Sequence, residues 1–116
     1  MAGSNIKTDV RIADDTINMI AGMAATSVDG VVSIGEGITF KALPFIGANN
    51  LKKGVKIERN EKDGSIVATV TIVMKPGIDI KKTCLNIQEK VKDSIESMLD
   101  LAVKEVIIKV AKIDDL

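Results

Sequence analysis

The sequence lacks histidine, tryptophan and tyrosine, and its 116 residues include one cysteine, two prolines and two phenylalanines. Without histidine, imidazole acid–base catalysis and most zinc sites are excluded, because imidazole titrates near neutral pH and is a preferred zinc ligand. A single cysteine cannot form a disulfide within one chain. Only carboxylate or lysine chemistry remains, so we expect no enzyme activity and no cofactor.

A net charge is also lacking, since 16 lysine and arginine residues balance 16 aspartate and glutamate residues. Nucleic-acid-binding proteins usually carry a basic surplus rich in arginine, whereas the arginines here are Arg11 and Arg59. Aromatic residues, on which single-stranded bases stack, are nearly absent. These features disfavour a nucleic-acid partner, but an RNA-binding module stays open as an alternative because small α+β sheets often bind RNA.

Long hydrophobic runs are missing as well. No apolar run approaches the roughly 18–20 residues that cross a bilayer, and the N-terminus lacks the basic and apolar segments of a secretory signal. We expect a cytoplasmic protein without a direct membrane span. We interpret residues 1–5 as a disordered tail or cloning scar, residues 6–113 as a single domain and residues 114–116 as an acidic tail.

Hydrophobic periodicity predicts the secondary structure. Alternation predicts a first strand that ends near Arg11, and helical spacing predicts a helix from about Asp14 to Ser27. Further strands are predicted at residues 31–34, 55–59, 66–74 and 103–113, with a hairpin turn at residues 62–65. A second helix is predicted from the N-cap Asp79 to about Asp100, with an apolar stripe of Ile80, Cys84, Ile87, Val91, Ile95 and Met98.

This order, β-α-β-β-β-α-β, is typical of an α+β fold. We expect a small single domain with a mixed or antiparallel sheet and two helices packed on one face. The opposite face of the long strand would then present Val67, Thr69, Thr71 and Val73, with Ile107 from the last strand. Such a face suits stacking against another subunit or a membrane-attached partner. Together with the loop of residues 35–54, it favours self-association, and we expect a homo-oligomer.

Residues 35–54 match neither a helix nor a strand period, yet they contain both phenylalanines. One interpretation is that this loop folds back and closes the core. The other is that it covers a partner, because exposed contiguous apolar area with aromatic anchors marks interaction surfaces. The candidate interaction surface consists of Phe40, Leu43, Phe45 and Ile46, with Lys52, Lys53 and Lys56 as a weakly attractive basic cluster.

Other candidate sites have simpler interpretations. Cys84 lies on an apolar helix stripe, where a lone cysteine is usually a small core residue. Glu89, Asp93 and Glu96 recur at helical spacing, but interleaved lysines and the absence of histidine favour a solvated helix face over a metal site. We therefore expect no catalytic, cofactor or metal site.

Several motifs occur in an order that resembles the alkaline shock protein family of Gram-positive bacteria, also called envelope stress response proteins. The resemblance spans about residues 6–113. Ala13 departs from it, because the family tends to have a Ser or Thr helix cap at this position. The motifs are Ile12-Ala-Asp-Asp-Thr-Ile-x-x-Ile-Ala21, Val28-Asp-Gly-Val-Val32, Lys53-Gly-Val-Lys-Ile57, the strand 67–74, Pro76-Gly-Ile-Asp-Ile80, Ile87-Gln-x-x-Val-Lys92 and Ile95-x-x-Met-Leu-x-Leu101.

The resemblance implies a non-enzymatic cytoplasmic protein of cell-envelope homeostasis or stress. Some members assemble into oligomers or filaments beneath the membrane, held there by a separate membrane-anchored protein. Others are linked to the regulation of fatty-acid synthesis, so a regulator that binds a metabolic enzyme is an alternative. The family has no established catalytic residues. Our hypothesis is a self-associating adaptor that docks on a membrane-anchored partner.

Overall fold

The computed structural model of the chain describes residues 12–114. The helices are α1 (Asp14–Thr26), α2 (Ala48–Leu51) and α3 (Ile80–Leu99), with a 3-10 helix at Leu43–Phe45. The strands are β1 (Val31–Ile34), β2 (Val55–Arg59), β3 (Ile66–Met74) and β4 (Val103–Ile113). The predicted α+β order is confirmed from α1 onwards, and the strand predicted to end near Arg11 lies outside the described residues.

Helix α1 begins without a side-chain cap, since Ala13 occupies the N-cap position. Asp14 and Asp15 lie in its first turn, where carboxylates interact favourably with the positive end of the helix dipole. The helix ends at Thr26, and Gly30, with a φ of 96°, turns the chain into β1. Since L-residues with side chains rarely adopt this conformation, glycine is the residue that suits this turn.

Strand β3 is the centre of the sheet. It pairs in parallel with β4 along its whole length, from Ile66 opposite Val103 to Met74 opposite Ile113. The other edge of β3 pairs antiparallel with β2 over its first half and with β1 at its end. The prediction of a mixed sheet is therefore confirmed, with β1 and β2 following one another along the same edge.

The core lies between one face of this sheet and the two long helices. From β3 it includes five fully buried side chains: Ile66, Ala68, Val70, Ile72 and Met74. Helix α1 adds Ile17 and Ala21, and α3 adds three residues of its predicted stripe, which are Ile87, Val91 and Ile95. Burial of large aliphatic side chains stabilises a fold by about 1.5–3 kcal/mol each, so this layer holds the helices on the sheet.

Helix α3 is fixed at both ends. Asp79 caps its start, because its Oδ1 accepts a hydrogen bond of 3.1 Å from the Lys82 backbone nitrogen. At its end, Glu96 Oε2 accepts a hydrogen bond of 3.0 Å from the backbone nitrogen of Val103 and so ties the helix to β4. The predicted apolar stripe is too long, since Ile80 and Met98 are 41% and 66% exposed. The helix has 20 residues and is about 30 Å long, so its terminal turns extend past the core.

The predicted terminal tails fall almost entirely outside the described residues. Only Asp114 of the proposed acidic tail is described. Its backbone nitrogen donates a hydrogen bond of 2.8 Å to the carbonyl oxygen of Met74, and its carboxylate pairs with Lys112 at 3.0 Å. Asp114 is therefore attached to the end of the sheet.

Candidate interaction surface

The two ends of the loop of residues 35–54 meet at Thr71 of β3. We refer to this meeting point of Gly35, Gly54 and Thr71 as the neck of the loop. The Thr71 carbonyl oxygen accepts a hydrogen bond of 2.8 Å from Gly35, and its amide donates one of 2.8 Å to the carbonyl oxygen of Gly54. A Cβ on Gly54 would lie 3.1 Å from the Gly35 nitrogen, so the two segments touch backbone to backbone. Both ends of the loop are thus held by one residue of the central strand.

Part of the loop belongs to the core, as one of the two open interpretations predicted. Ile38, Leu43 and Leu51 are buried, and they pack in the same core cluster as α1 and β3. The loop also contains the 3-10 helix and α2, which are too short to show a period in the sequence. Leu43 is 0% exposed, so its assignment to an interaction surface is corrected: it is a core residue.

The opposite side of the loop faces outwards. Phe45 is 88% exposed and Phe40 is 49% exposed, while Ile46 is half-buried against the core. We refer to Phe40, Phe45 and Ile46 as the loop surface. An aromatic side chain as exposed as Phe45 contributes almost nothing to the stability of the fold, because the hydrophobic contribution depends on the area removed from water.

Phe40 also forms one wall of a groove between α1 and α3. The groove has a volume of about 220 Å³. Met23 of α1 and Met98 of α3 line it and are 44% and 66% exposed. Methionine side chains are flexible and polarisable and adapt to different partners. The remaining lining residues are Ile20, Ala24, Ser27, Lys90 and Ser94.

The three predicted lysines are exposed but do not form one cluster with the aromatic residues. Lys53 lines a depression together with Ile46. Lys52 and Lys56 instead line a separate cavity of about 320 Å³, together with Asp14 and Asn18. The structure therefore distributes the seven predicted residues over the core, the loop surface and two flanking basic positions.

Sequence reasoning missed Asn18 in this second cavity. Its side chain is 2% exposed, and its Oδ1 has no hydrogen-bond partner among the described residues. A buried polar atom without a partner costs about 1–3 kcal/mol, so the Asn18 Oδ1 atom is an unfavourable polar group in an otherwise apolar helix face. The signal was present in the sequence, since Asn18 precedes Ala21 and Ala25 by three and seven residues, the spacing of one helix face.

Cys84 and Glu96, which have structural interpretations in the sequence, both contact other parts of the fold. Cys84 is half-buried, and burial raises the pKa of its thiol, which disfavours the reactive thiolate. Glu96 is committed to its hydrogen bond with Val103. Within residues 12–114, no three or more carboxylate or cysteine side chains are grouped so as to hold a metal ion. In the same range, no helix combines the length and apolarity needed to cross a membrane.

At the family level, residues 2–114 match the alkaline shock protein 23 family, which is described as having a cell envelope-related function. The chain belongs to this family. The resemblance inferred from the sequence is confirmed over nearly the full length, and a function related to the cell envelope follows. The match includes the loop surface, α1 and α3.

Three uncharacterized bacterial proteins are similar to the chain. YqhY of Bacillus subtilis is 32% identical over 104 residues, which cover 90% of this chain and 76% of the relative. Spy1535 of Streptococcus pyogenes is 29% identical over 102 residues, or 88% of this chain and 76% of the relative. Spy1614 of the same species is 33% identical over 94 residues, or 79% and 76%. No solved structure matches the chain.

Proposed function

We propose that this family member is a non-enzymatic adaptor of the cell envelope, which self-associates and docks on a membrane-anchored protein through the loop surface. The observation that carries the proposal is the 88% exposure of Phe45 on a loop whose neck and inner side are fixed by the fold. Because the loop backbone is anchored before binding, less backbone freedom is lost when Phe45 contacts a partner, which lowers the entropy cost of binding.

The expected partner segment is apolar with acidic neighbours. Phe40 and the exposed Met98 continue the apolar area from the loop onto the groove, and each Å² removed from water contributes about 25 cal/mol before association costs. The exposed Lys52 and Lys53 lie at the C-terminal end of the loop, and the exposed Lys56 follows it in β2. They would attract acidic residues of the partner or anionic lipid headgroups beside it.

Self-association is tested by sedimentation velocity over a wide range of protein concentrations. The double variant Phe40→Ser/Phe45→Ser should lose the largest species formed by the wild type, because its loop surface no longer excludes water from a contact. Lys41→Ser is the matched control, since it alters an exposed residue of the same loop without removing aromatic area. Large species that persist unchanged in a folded double variant contradict a role of the loop in assembly.

Docking is tested with membrane vesicles prepared from the organism that makes the protein. The purified wild type should pellet with the vesicles, while the Phe40→Ser/Phe45→Ser variant should stay in the supernatant. Vesicles treated with protease beforehand should no longer bind the wild type, because the proposed anchor is a protein. Equal binding to treated and untreated vesicles would show lipid binding instead and would overturn the partner proposal.

A further inference from the structure

Within residues 12–114, strand β4 has one edge with no paired strand. It has 11 residues and pairs with β3 on one side, whereas no strand within residues 12–114 pairs with its other side. An open edge presents backbone N–H and C=O groups that form a template for another strand.

Helix α3 covers only the first part of β4. The side chain of Gln88 donates a hydrogen bond of 3.0 Å to the carbonyl oxygen of Val106, and Glu96 accepts one from Val103. Beyond Val106 the strand becomes exposed, with Ile107 and Val110 each 37% exposed. Beyond the two groups bonded by α3, the open edge therefore combines exposed apolar side chains with backbone groups that are not paired by any strand within residues 12–114.

The ladder with β3 shows which side chains share a face. Val106 and Ile108 are paired with Ala68 and Val70, which face the core. Alternation then places Glu105, Ile107 and Lys109 together on the opposite face. All three are exposed, and the shifts in the β3–β4 register lie before Glu105 and after Val110, so this segment is regular.

The segment is complementary to itself when two copies run antiparallel about Ile107. In that register Ile107 lies opposite its own copy, and Glu105 of each copy lies opposite Lys109 of the other. Directly opposite side chains have Cβ atoms about 4.5–5.5 Å apart, and opposite charges at this separation stabilise the pair. A shift that centres the pair on Lys109 or Glu105 places like charges opposite each other, and a shift that centres it on Val106 or Ile108 forms no Glu105–Lys109 pair, so charge favours the register centred on Ile107.

We propose that β4 pairs antiparallel with β4 of a second copy, in the register centred on Ile107. This contact has two-fold symmetry and joins the two sheets into one. The inference rests on the self-association proposed above and assigns one of its contacts to residues remote in sequence from the loop surface. Together with a second contact through the loop surface, this pairing allows assemblies larger than a dimer.

The first experiment uses charge reversal in the Phe40→Ser/Phe45→Ser background, which removes the loop contact. By sedimentation velocity, this background should be a dimer. Glu105→Lys and Lys109→Glu should each raise the dissociation constant about tenfold or more, because each creates two like-charge contacts. An equimolar mixture of the two variants should recover the dimer, since every facing pair then has opposite charges.

The second experiment tests the register. In a Cys84→Ala background, Ile107→Cys should form an intermolecular disulfide under mild oxidation, because antiparallel partners lie within disulfide distance. Lys109→Cys is the matched control and should remain reduced. Equal cross-linking of the two variants contradicts the register.

The outcomes separate this inference from the proposed function. Three outcomes would overturn the β4 contact: a monomeric Phe40→Ser/Phe45→Ser background, unchanged dimers in both charge variants, or a mixture of the two variants that stays monomeric. None of these outcomes changes the result of the loop experiments. If only the charge variants alter assembly and the loop variant behaves as the wild type, the loop proposal fails and the β4 contact stands. We expect all β4 variants to fold, because the substituted side chains are exposed. Far-UV circular dichroism checks that they do.

Discussion

Gly22 of α1 lies directly against Leu43 of the loop: a Cβ at position 22 would be 3.3 Å from Leu43 Cδ2 and 3.1 Å from Ile34 Cδ1. The missing side chain on α1 provides the space in which the loop packs. Leu51 occupies the same space, with its Cδ1 3.6 Å from that Cβ position. This contact explains how one loop both contributes to the core and presents Phe45 to solvent.

Leu43 and Phe45 should therefore respond differently to truncation, although both lie in one 3-10 helix. Leu43→Ala leaves a cavity against Gly22 and should lower the free energy of unfolding by about 3 kcal/mol. Phe45→Ala removes an exposed side chain and should change it by less than about 0.5 kcal/mol. Urea denaturation followed by circular dichroism measures both. Similar losses for the two variants would mean that Phe45 is part of the core.

The neck of the loop gives a second prediction. At Gly54, a Cβ would lie 3.0 Å from Ile34 Cγ1 and 3.1 Å from the Gly35 nitrogen, so Gly54→Ala forces the loop ends apart. We expect a loss of about 1–3 kcal/mol in the free energy of unfolding. Gly47→Ala is the control, because nothing lies within 4 Å of its Cβ position. If both variants are equally stable in urea, the neck is not a close backbone contact.

The sequence predicted the helices whose apolar spacing continues over several turns and the strands whose alternation continues over several residues. The stripe of Ile87, Val91 and Ile95 located α3, and the alternation of residues 66–74 located the central strand. The loop was different, because the burial of Leu43 depends on its contact with Gly22, which lies on another element. No local pattern encodes that contact. The loop could be identified as a candidate surface, but its core side and its exposed side could not be separated.

Asp100 gives a prediction at the end of α3. It adopts the left-handed conformation, with a φ of 55°, which is unfavourable for residues with a Cβ. Its carboxylate also lies at the negative end of the helix dipole. Asp100→Gly should therefore raise the free energy of unfolding by about 1 kcal/mol, and Asp100→Asn, which removes only the charge, by less. Thermal unfolding compares the three proteins; a less stable glycine variant would show that the aspartate side chain stabilises the turn.

The turn between β2 and β3 gives a pH-dependent prediction. Asp63 Oδ1 accepts a hydrogen bond of 2.9 Å from the Ser65 backbone nitrogen, and this bond lowers the pKa of the Asp63 carboxyl. A lowered pKa in the folded state means that the carboxylate stabilises the fold above the ordinary aspartate pKa of about 3.9. That contribution is lost as the pH falls through the lowered value.

Asp63→Asn keeps an acceptor oxygen but removes the charge, so it should be less stable than the wild type at pH 7. The difference should shrink as the pH falls below about 4, because the wild-type carboxyl then becomes protonated. Urea denaturation at a series of pH values measures it. Lys62→Gln in the same turn is the control, and its difference from the wild type should stay constant over that range. A constant difference for Asp63→Asn as well would show that the charge on Asp63 does not stabilise the turn.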